Sequence, residues 1–195
     1  MEPLPIGLIL ASVREGRRGE AFARWIETKL SEREGVKSVL LDLKEWSFPA
    51  YASKDSPTVA EKGYPEGSLS RRWFDQIAAL DGFLIVTPEY SHGYPGSLKN
   101  ALDHLYLPWN FKPVGFVSYG GFAAGARSVE QLRLVAVELR MVPIREEVNL
   151  RLPGLAADEN GWPSEEIYAR KAKALLDDLL WWVRLTKEGR SRFPR

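Results

Sequence analysis

The chain has 195 residues, 45% of them hydrophobic, and its 27 basic and 26 acidic residues leave a formal net charge of +1. This length and hydrophobic fraction predict one domain, residues 1–195, with a core that needs no disulfide to stabilise it. The near-neutral charge gives no electrostatic reason to expect a nucleic-acid partner.

The residue types exclude several kinds of site. Cysteine is absent, which excludes disulfides, a thiolate nucleophile and cysteine-bound metals. With only two histidines, His92 and His104, we expect no metal site. No apolar segment is long enough to span a bilayer, and residues 1–10 have no basic, long apolar leader, so we expect a cytoplasmic protein without a membrane partner.

Apolar runs and helical periodicities alternate along the chain. Strands are predicted at 5–10, 36–43, 82–87, 113–119 and 142–148. Helices are predicted through Phe22 and Leu30 up to Gly35, and at 68–80, 95–106, 128–140 and 164–189, the last capped by Ser164. Residues 44–66 form a long loop rich in Pro, Ser and Gly.

Five strands that alternate with five helices indicate an α/β fold, a doubly wound parallel sheet in three layers. Right-handed crossovers leave two common strand orders, and the flavodoxin-like order 2-1-3-4-5 suits a five-stranded chain. The absence of a Gly-x-Gly-x-x-Gly motif argues against the dinucleotide-binding order. In the flavodoxin-like order a ligand binds between the loops that follow the first and third strands.

The loop after the first strand, residues 11–19, contains a serine, three arginines and two glycines. A phosphate dianion needs several converging donors, which the first turn of a helix and nearby guanidinium groups supply. Each charge-assisted hydrogen bond contributes roughly 1.5 to 3 kcal/mol. The loop is therefore predicted to bind a phosphate, the alternative being a solvated basic turn.

The loops after the third and fourth strands are also distinctive. Pro88-Glu89-Tyr90-Ser91-His92 follows the third strand and leads into the helical segment Pro95-Gly96-Ser97-Leu98-Lys99-Asn100-Ala101-Leu102-Asp103. Ser118-Tyr119-Gly120-Gly121 follows the fourth strand, and its glycines leave room for a planar ring against backbone N–H groups. An ordinary Gly-rich connection is the alternative for the latter segment.

These three motifs, in this order over residues 4 to 150, closely resemble those of the NADPH-dependent FMN reductase family. The resemblance implies a flavodoxin-like flavoprotein that binds FMN, takes two electrons from NADPH or NADH and passes them to a flavin, quinone, azo dye or metal oxyanion. It also implies a homodimer or homotetramer, and it requires no catalytic side chain because the cofactor carries the chemistry.

The resemblance assigns FMN-binding residues by motif. They are Ser12, Arg14, Arg17, Arg18 and Gly19 at the phosphate, Pro88, Glu89, Tyr90, Ser91, His92 and Gly93 along the ribityl chain and ring, and Ser118, Tyr119, Gly120 and Gly121 against the ring. Many family members have Asn where this chain has Ser91. His92 is a proton donor or a bystander, and Arg127 is a candidate contact for a nicotinamide cofactor's phosphate. Glu89 is an acid–base group, or it anchors the loop or a subunit contact.

Two alternatives to an enzyme remain. A non-enzymatic flavin-binding electron carrier or regulatory module would have the same fold, although short-chain flavodoxins are strongly acidic and this chain is not. A degenerate member that has lost flavin would act as an interaction protein. Among the tryptophans, Trp25 and Trp73 are predicted in the core, and Trp109, Trp181 and Trp182 at an interface.

Overall fold

A computed structural model describes residues 3–193, so the two residues at each end of the predicted domain 1–195 lie outside the described residues. The strands are β1 (Leu4–Leu10), β2 (Val36–Asp42), β3 (Gly82–Pro88), β4 (Pro113–Gly120) and β5 (Val142–Arg151). The helices are α1 (Gly19–Ser31), α2 (Pro57–Ala60), α3 (Leu69–Ala78), α4 (Gly96–Asp103), α5 (Ala126–Glu138) and α6 (Glu166–Arg192). The strands form one parallel sheet in the order β2-β1-β3-β4-β5. The predicted flavodoxin-like fold is confirmed.

Both faces of the sheet are covered, because successive side chains of a strand point to opposite sides. In β1, Ile6, Leu8 and Leu10 pack against α1 and α6. Ile9 points to the other face, where α3, α4 and α5 complete a second core. Every residue of β3 is buried, as expected for the central strand of a sheet covered on both faces.

The last helix differs from its prediction at both ends. It runs from Glu166 to Arg192, and its N-cap residue is Glu165, which makes no side-chain capping hydrogen bond. The predicted cap by Ser164 is wrong, because the helix begins one residue later than a cap at Ser164 requires. The backbone amide of Ser164 donates to the carbonyl of Ala156 at 3.1 Å, which ties Ser164 to the preceding irregular segment. Neither α6 nor any other helix within residues 3–193 is long and apolar enough to cross a membrane.

The long loop after β2 is held firmly against α4. It contains α2 and a 3₁₀ turn at Glu61–Gly63. The buried Glu61 carboxylate accepts hydrogen bonds from the backbone amides of Tyr106 at 2.8 Å and Leu107 at 3.0 Å. The side-chain amide of Asn100 donates to the carbonyl of Pro49 at 2.8 Å. These bonds satisfy buried polar groups and give the loop a defined path.

The tryptophan predictions have mixed outcomes. Trp25 and Trp73 lie in the core, as predicted. The prediction that Trp109 lies at an interface is wrong, because its ring is fully buried and its Nε1 donates to the carbonyl of Leu102 at 3.3 Å. Trp181 is 56% exposed on α6.

Candidate functional site

Three loops meet at the carboxyl edge of the sheet, since the segments after β1, β3 and β4 all open on that edge of a parallel sheet. They surround a cavity of about 280 Å³, near the lower end of the range of ~300–1,000 Å³ found for small-molecule pockets. Its lining residues are Arg14, Glu15, Gly16, Arg17, Arg18, Pro88, Glu89, Tyr90, Tyr119, Gly120, Gly121 and Leu152. The predicted residues outside this lining are Ser12, Gly19, Ser91, His92, Gly93 and Ser118. All three predicted motifs therefore contribute to one cavity.

Arg17 is held from behind by Asp42, the last residue of β2. Its guanidinium makes two hydrogen bonds to the Asp42 carboxylate, one of them from Nη1 to Oδ1 at 2.7 Å. Nη1 also donates to the carbonyl of Ser12 at 2.6 Å. Only 7% of the Arg17 side chain and 14% of the Asp42 side chain are exposed, and the hydrogen bond to Asp42 is the main cause that raises the pKa of Arg17. Arg17 thus joins the loop to the end of β2.

Arg14 and Arg18 differ from Arg17, because both are exposed and neither forms an ion pair within residues 3–193. Helix α1 begins at Gly19, directly after Arg18, so its first unpaired amides adjoin the loop whose two arginines line the cavity. Gly16 has φ +62°, a conformation in which a side chain would be strained, and it turns the chain at this point. The loop therefore offers two free cations next to a helix N-terminus, an arrangement suited to a phosphate.

Ser12 connects the first loop to the second. Its buried hydroxyl lies 2.7 Å from the Tyr90 hydroxyl and accepts a long hydrogen bond, 3.4 Å, from the backbone amide of Arg14. The Arg14 guanidinium carbon lies 5.6 Å from the centre of the Tyr90 ring. The Ser12 hydroxyl thus supports the shape of the cavity from behind the lining.

The second loop closes on itself at residues 90–93. The backbone groups of Tyr90 and Gly93 exchange hydrogen bonds of 2.8 and 3.0 Å, and the two residues between them, Ser91 and His92, have φ of +48° and +69°. The buried hydroxyl of Ser128 on α5 anchors this turn by donating to the carbonyl of Gly93 at 2.7 Å. Both Ser91 and His92 are exposed, so the tight turn directs these two side chains away from the cavity lining.

Glu89 contributes a buried carboxylate to the cavity wall. Only 7% of its side chain is exposed, and its Oε1 accepts from Nη2 and Nε of Arg127 at 2.6 and 2.7 Å. Nη1 of Arg127 also lies 2.9 Å from Nε2 of His92. The other carboxylate oxygen of Glu89, Oε2, is buried without a hydrogen-bond partner among residues 3–193. Arg127 is therefore engaged with Glu89 and His92, and this pairing competes with the phosphate contact considered for it.

Ser118 and Gly120 stabilise the third loop. The buried hydroxyl of Ser118 donates to the carbonyl of Ala124 at 2.9 Å and accepts from the side-chain amide of Asn149 at 3.0 Å. Ser118 thus lies behind the loop. A Cβ at Gly120 would lie 3.1 Å from the backbone nitrogen of Gly125, so this close approach favours glycine.

Tyr119 and Gly19 fit together beneath the cavity. A Cβ at Gly19 would overlap the Tyr119 hydroxyl, which explains physically why a glycine stands at the start of α1. The hydroxyl is buried close to Ser12 and Gly19, but it completes no well-formed hydrogen bond within residues 3–193. Burial raises the pKa of Tyr119, so its hydroxyl stays protonated and available as a donor.

The residues of this cavity fit FMN. Arg14, Arg18 and the first turn of α1 provide donors for a phosphate at one end. At the other end, apart from its own chain neighbours, no atom of residues 3–193 lies within 4 Å of a Cβ placed on Gly121, so a flat ring has access there. The unpartnered groups of Tyr119 and Glu89 supply one donor and one acceptor, which a buried site normally satisfies with a ligand or water.

Three residues of the lining are not among those assigned to FMN from the sequence: Glu15, Gly16 and Leu152. Glu15 and Gly16 lie between assigned residues of the first loop, so continuity along the loop was a usable signal. Leu152 directly follows β5, and its amide donates to the carbonyl of Gly120 at 2.8 Å. The rule that ligands bind beyond the carboxyl ends of strands pointed to this position, although no motif marks it.

The chain matches the sequence pattern of the NADPH-dependent FMN reductase family over residues 4–152. It is 37% identical over 134 residues to an NAD(P)H-dependent FMN reductase of Schizosaccharomyces pombe, covering 69% of this chain and 66% of that protein. It is 34% identical over 131 residues to a 2-hydroxy-1,4-benzoquinone reductase of Burkholderia sp, covering 64% and 70%. FerB, a flavoenzyme NAD(P)H:(acceptor) oxidoreductase from Paracoccus denitrificans, has the same fold, with a TM-score of 0.75, 21% identity and coverage of 94% and 98%. This chain belongs to the NADPH-dependent FMN reductase family.

Proposed function

We propose that this protein is an FMN-dependent NAD(P)H oxidoreductase that passes two electrons from a reduced nicotinamide to a small planar acceptor such as a flavin or quinone. The observation that carries the proposal is the cavity at the carboxyl edge, where a cationic loop and an open glycine loop face the same space. The relatives named as FMN and benzoquinone reductases support this reaction and this class of acceptor.

In this proposal each motif has a distinct role. Arg14, Arg18 and the amides of α1 bind the FMN phosphate, while Arg17, paired with Asp42, holds the loop in shape. Backbone groups of residues 88–93 border the ribityl chain and one edge of the ring. Gly120 and Gly121 leave the opposite edge accessible. Bound FMN supplies the hydride chemistry, so the protein's task is to position the ring and control access to it.

The proposal assigns binding and positioning roles to the charged residues around the ring. Glu89 contributes a hydrogen-bond acceptor, Oε2, to the cavity wall, while Arg127 pairs with the other carboxylate oxygen, Oε1. His92 lies on the solvent side of Arg127 and is exposed, which supports a role in holding the loop rather than in proton transfer. A non-enzymatic electron carrier is not favoured, because the relatives that share this family are named as reductases.

We also propose that residues 1–195 form a single domain that works as a cytoplasmic homodimer or homotetramer. Apolar side chains that support an interface are exposed in three parts of the chain. They are Val59 in the long loop, Leu107 after α4, and Trp181 and Leu185 on α6, with exposures from 46% to 57%. Light scattering at micromolar concentration should therefore give the mass of a dimer or tetramer, and a monomer mass would contradict this proposal.

Anaerobic titration of the FMN-loaded protein with NADPH tests the reaction. We expect the flavin absorbance near the visible maximum to bleach completely with one equivalent of NADPH and to return when a quinone is added. Steady-state kinetics should be ping-pong, since nicotinamide and acceptor use the same open face of the ring. Bound FMN whose spectrum does not respond to NADPH or NADH would refute the proposed function.

A further inference from the structure

An exposed aromatic residue directly adjoins the cavity lining, and we call this region the mouth of the cavity. Phe122 directly follows Gly121, which lines the cavity, and its side chain is 83% exposed. Arg151 directly precedes Leu152, another lining residue, and its guanidinium carbon lies 5.3 Å from the centre of the Phe122 ring. Neighbouring strands bring the two together, because Arg151 is the register partner of Gly120.

The turn that carries Phe122 is fixed. The amide of Ala124 donates to the carbonyl of Gly121 at 3.1 Å, and the hydroxyl of Ser118 donates to the carbonyl of Ala124 at 2.9 Å. Single exposed apolar residues are common on protein surfaces and need no explanation by themselves. Phe122 differs from such residues because its turn is fixed and the guanidinium of Arg151 lies over its ring. Phe122 and Arg151 also each adjoin a residue that lines the proposed cofactor cavity.

The charges around the mouth leave Arg151 available for a second anionic ligand. Arg17 and Arg127 are engaged by Asp42 and Glu89, and the proposed function uses Arg14 and Arg18 for the FMN phosphate. Arg151 is exposed and forms no ion pair with any residue from 3 to 193.

We propose that Phe122 and Arg151 bind the adenosine half of the reduced dinucleotide, an inference that rests on the proposed function. The adenine stacks on the free face of the Phe122 ring, and a phosphate of the dinucleotide pairs with Arg151. A planar aromatic base joined to phosphates matches this pair of groups, since stacking and charge pairing are both satisfied. A quinone has no phosphate for Arg151, so the pair distinguishes the dinucleotide from a quinone acceptor.

Reduced nicotinamide mononucleotide is the decisive probe, because it carries the same hydride as NADPH but lacks the adenosine half. In Phe122→Ala we expect the KM for NADPH to rise about tenfold, the size of one lost base–aromatic stack. In Arg151→Gln we expect a rise of up to about fivefold, the upper end for one exposed charge pair. Both variants should keep the wild-type KM for the mononucleotide and for the quinone, and the wild-type kcat.

Calorimetric titration of the FMN-loaded protein with NADP⁺ measures the same contact without turnover. The Kd of NADP⁺ should rise in Phe122→Ala and Arg151→Gln by the factors expected for the KM of NADPH. Phe122→Trp and Arg151→Lys should retain tight binding. The controls Phe193→Ala and Arg145→Gln, which change residues outside the cavity lining, should behave as wild type. If Arg151→Gln raises the KM of NADPH and the Kd of NADP⁺ alone, Arg151 pairs with the 2′-phosphate. If the constants for NADH and NAD⁺ rise equally, Arg151 pairs with the pyrophosphate.

The inference is overturned if the dinucleotide constants do not change in Phe122→Ala and Arg151→Gln, or if the mononucleotide is affected equally. In both cases bleaching of FMN by the mononucleotide would still uphold the proposed function. Loss of bleaching by every reduced nicotinamide in the wild-type protein would instead refute the proposed function itself.

Discussion

The two ends of the sheet use charged residues in opposite ways. At the amino edge, Asp81 accepts hydrogen bonds from Lys187 at 2.7 Å and Arg190 at 2.8 Å. Lys112, also at that edge, donates to the carbonyls of Ile77 and Ala78 at the end of α3 at 2.7 and 3.1 Å. These groups satisfy one another, so this end of the molecule contributes to stability.

At the carboxyl edge the network is incomplete. Asp42 and Arg17 form an ion pair as well buried as any at the amino edge. Arg14 and Arg18, however, form no ion pair within the described residues. The Tyr119 hydroxyl and Glu89 Oε2 have no hydrogen-bond partner within residues 3–193. Unsatisfied buried groups cost stability unless a ligand completes them. The comparison shows that the carboxyl edge, unlike the amino edge, has polar groups available for the proposed cofactor, at a cost in stability.

The largest effect is expected from a glycine that supports the third loop. Gly125 has φ +86°, and a Cβ there would lie 2.6 Å from Cβ of Ser118 and 2.7 Å from the backbone nitrogen of Tyr119. Gly125→Ala should lower the free energy of unfolding by about 3 kcal/mol or more, because backbone strain and overlap add. Chemical denaturation measures this change.

Two other glycines, Gly16 and Gly121, separate the effect of backbone strain from that of steric overlap. Gly16 has φ +62°, and a Cβ there would meet no described atom within 4 Å apart from its own chain neighbours. Gly16→Ala should therefore cost only about 1 kcal/mol of backbone strain. Gly121 has open space and no positive φ, so Gly121→Ala should leave the free energy of unfolding unchanged. Equal losses in all three variants would contradict the packing described for Gly125.

A matched pair of carboxylates tests the comparison between the edges directly. Asp42 and Asp81 each have 14% of the side chain exposed and each pair with an arginine. Asp42→Asn and Asp81→Asn should both lower the free energy of unfolding by about 2 kcal/mol. Only Asp42→Asn should also weaken FMN binding, by about fivefold or more, because Arg17 then no longer holds the phosphate loop. If Asp81→Asn weakened FMN binding as much, the two edges would not be functionally distinct.

The buried Lys112 at the amino edge should make the free energy of unfolding depend on pH. Burial lowers its pKa to about 7, with Arg190 adding to the shift and Asp81 opposing it. In the unfolded chain the pKa of a lysine is about 10.4, so the unfolded chain binds this proton more tightly. The free energy of unfolding should therefore rise as pH increases from about 7 to about 10, and fall again as pH is lowered through that window.

Lys112→Met removes this titration. The free energy of unfolding of the wild-type protein relative to Lys112→Met should rise by about 1 kcal/mol per pH unit between pH 7.5 and 9. Denaturation at several pH values measures the difference, and Lys62→Met, which changes an exposed lysine, serves as the control. Parallel pH curves for wild type and Lys112→Met would show that Lys112 titrates normally.

The smallest effect is expected at Ser91. Its φ of +48° lies in the left-handed region, which glycine adopts at no steric cost and asparagine tolerates better than most residues. Ser91→Gly should raise the free energy of unfolding by about 0.5 kcal/mol and leave FMN affinity unchanged, since the exposed side chain lies outside the cavity lining. A loss of FMN affinity in this variant would mean that the Ser91 hydroxyl contacts the cofactor.

The fold could be predicted because periodicity depends on local sequence. Alternating apolar runs indicate five strands, and parallel strands necessarily bring the loops after β1, β3 and β4 to one edge. Helix ends are predicted less accurately: α5 begins at Ala126 rather than 128, because Gly125 makes the turn two residues earlier than apolar spacing suggests.

The division of labour within the site could not be predicted. Arg14, Arg17 and Arg18 look alike in sequence, and only the folded chain brings Asp42 to Arg17. In the same way the third motif assigns Ser118 to the cofactor, whereas the structure directs its hydroxyl to Ala124. Such contacts join residues that are distant in sequence or depend on side-chain direction, and a single sequence records neither.

The central claim is that the carboxyl edge binds FMN through its phosphate, and titration of the apoprotein with FMN and with riboflavin tests it most directly. We expect FMN to bind at least about tenfold more tightly than riboflavin. Arg14→Ala should weaken FMN binding by about 1.5 to 3 kcal/mol while leaving riboflavin binding nearly unchanged. Equal affinity of the wild-type protein for the two flavins, or an equal loss of both in Arg14→Ala, would contradict the assignment of this edge as the phosphate site.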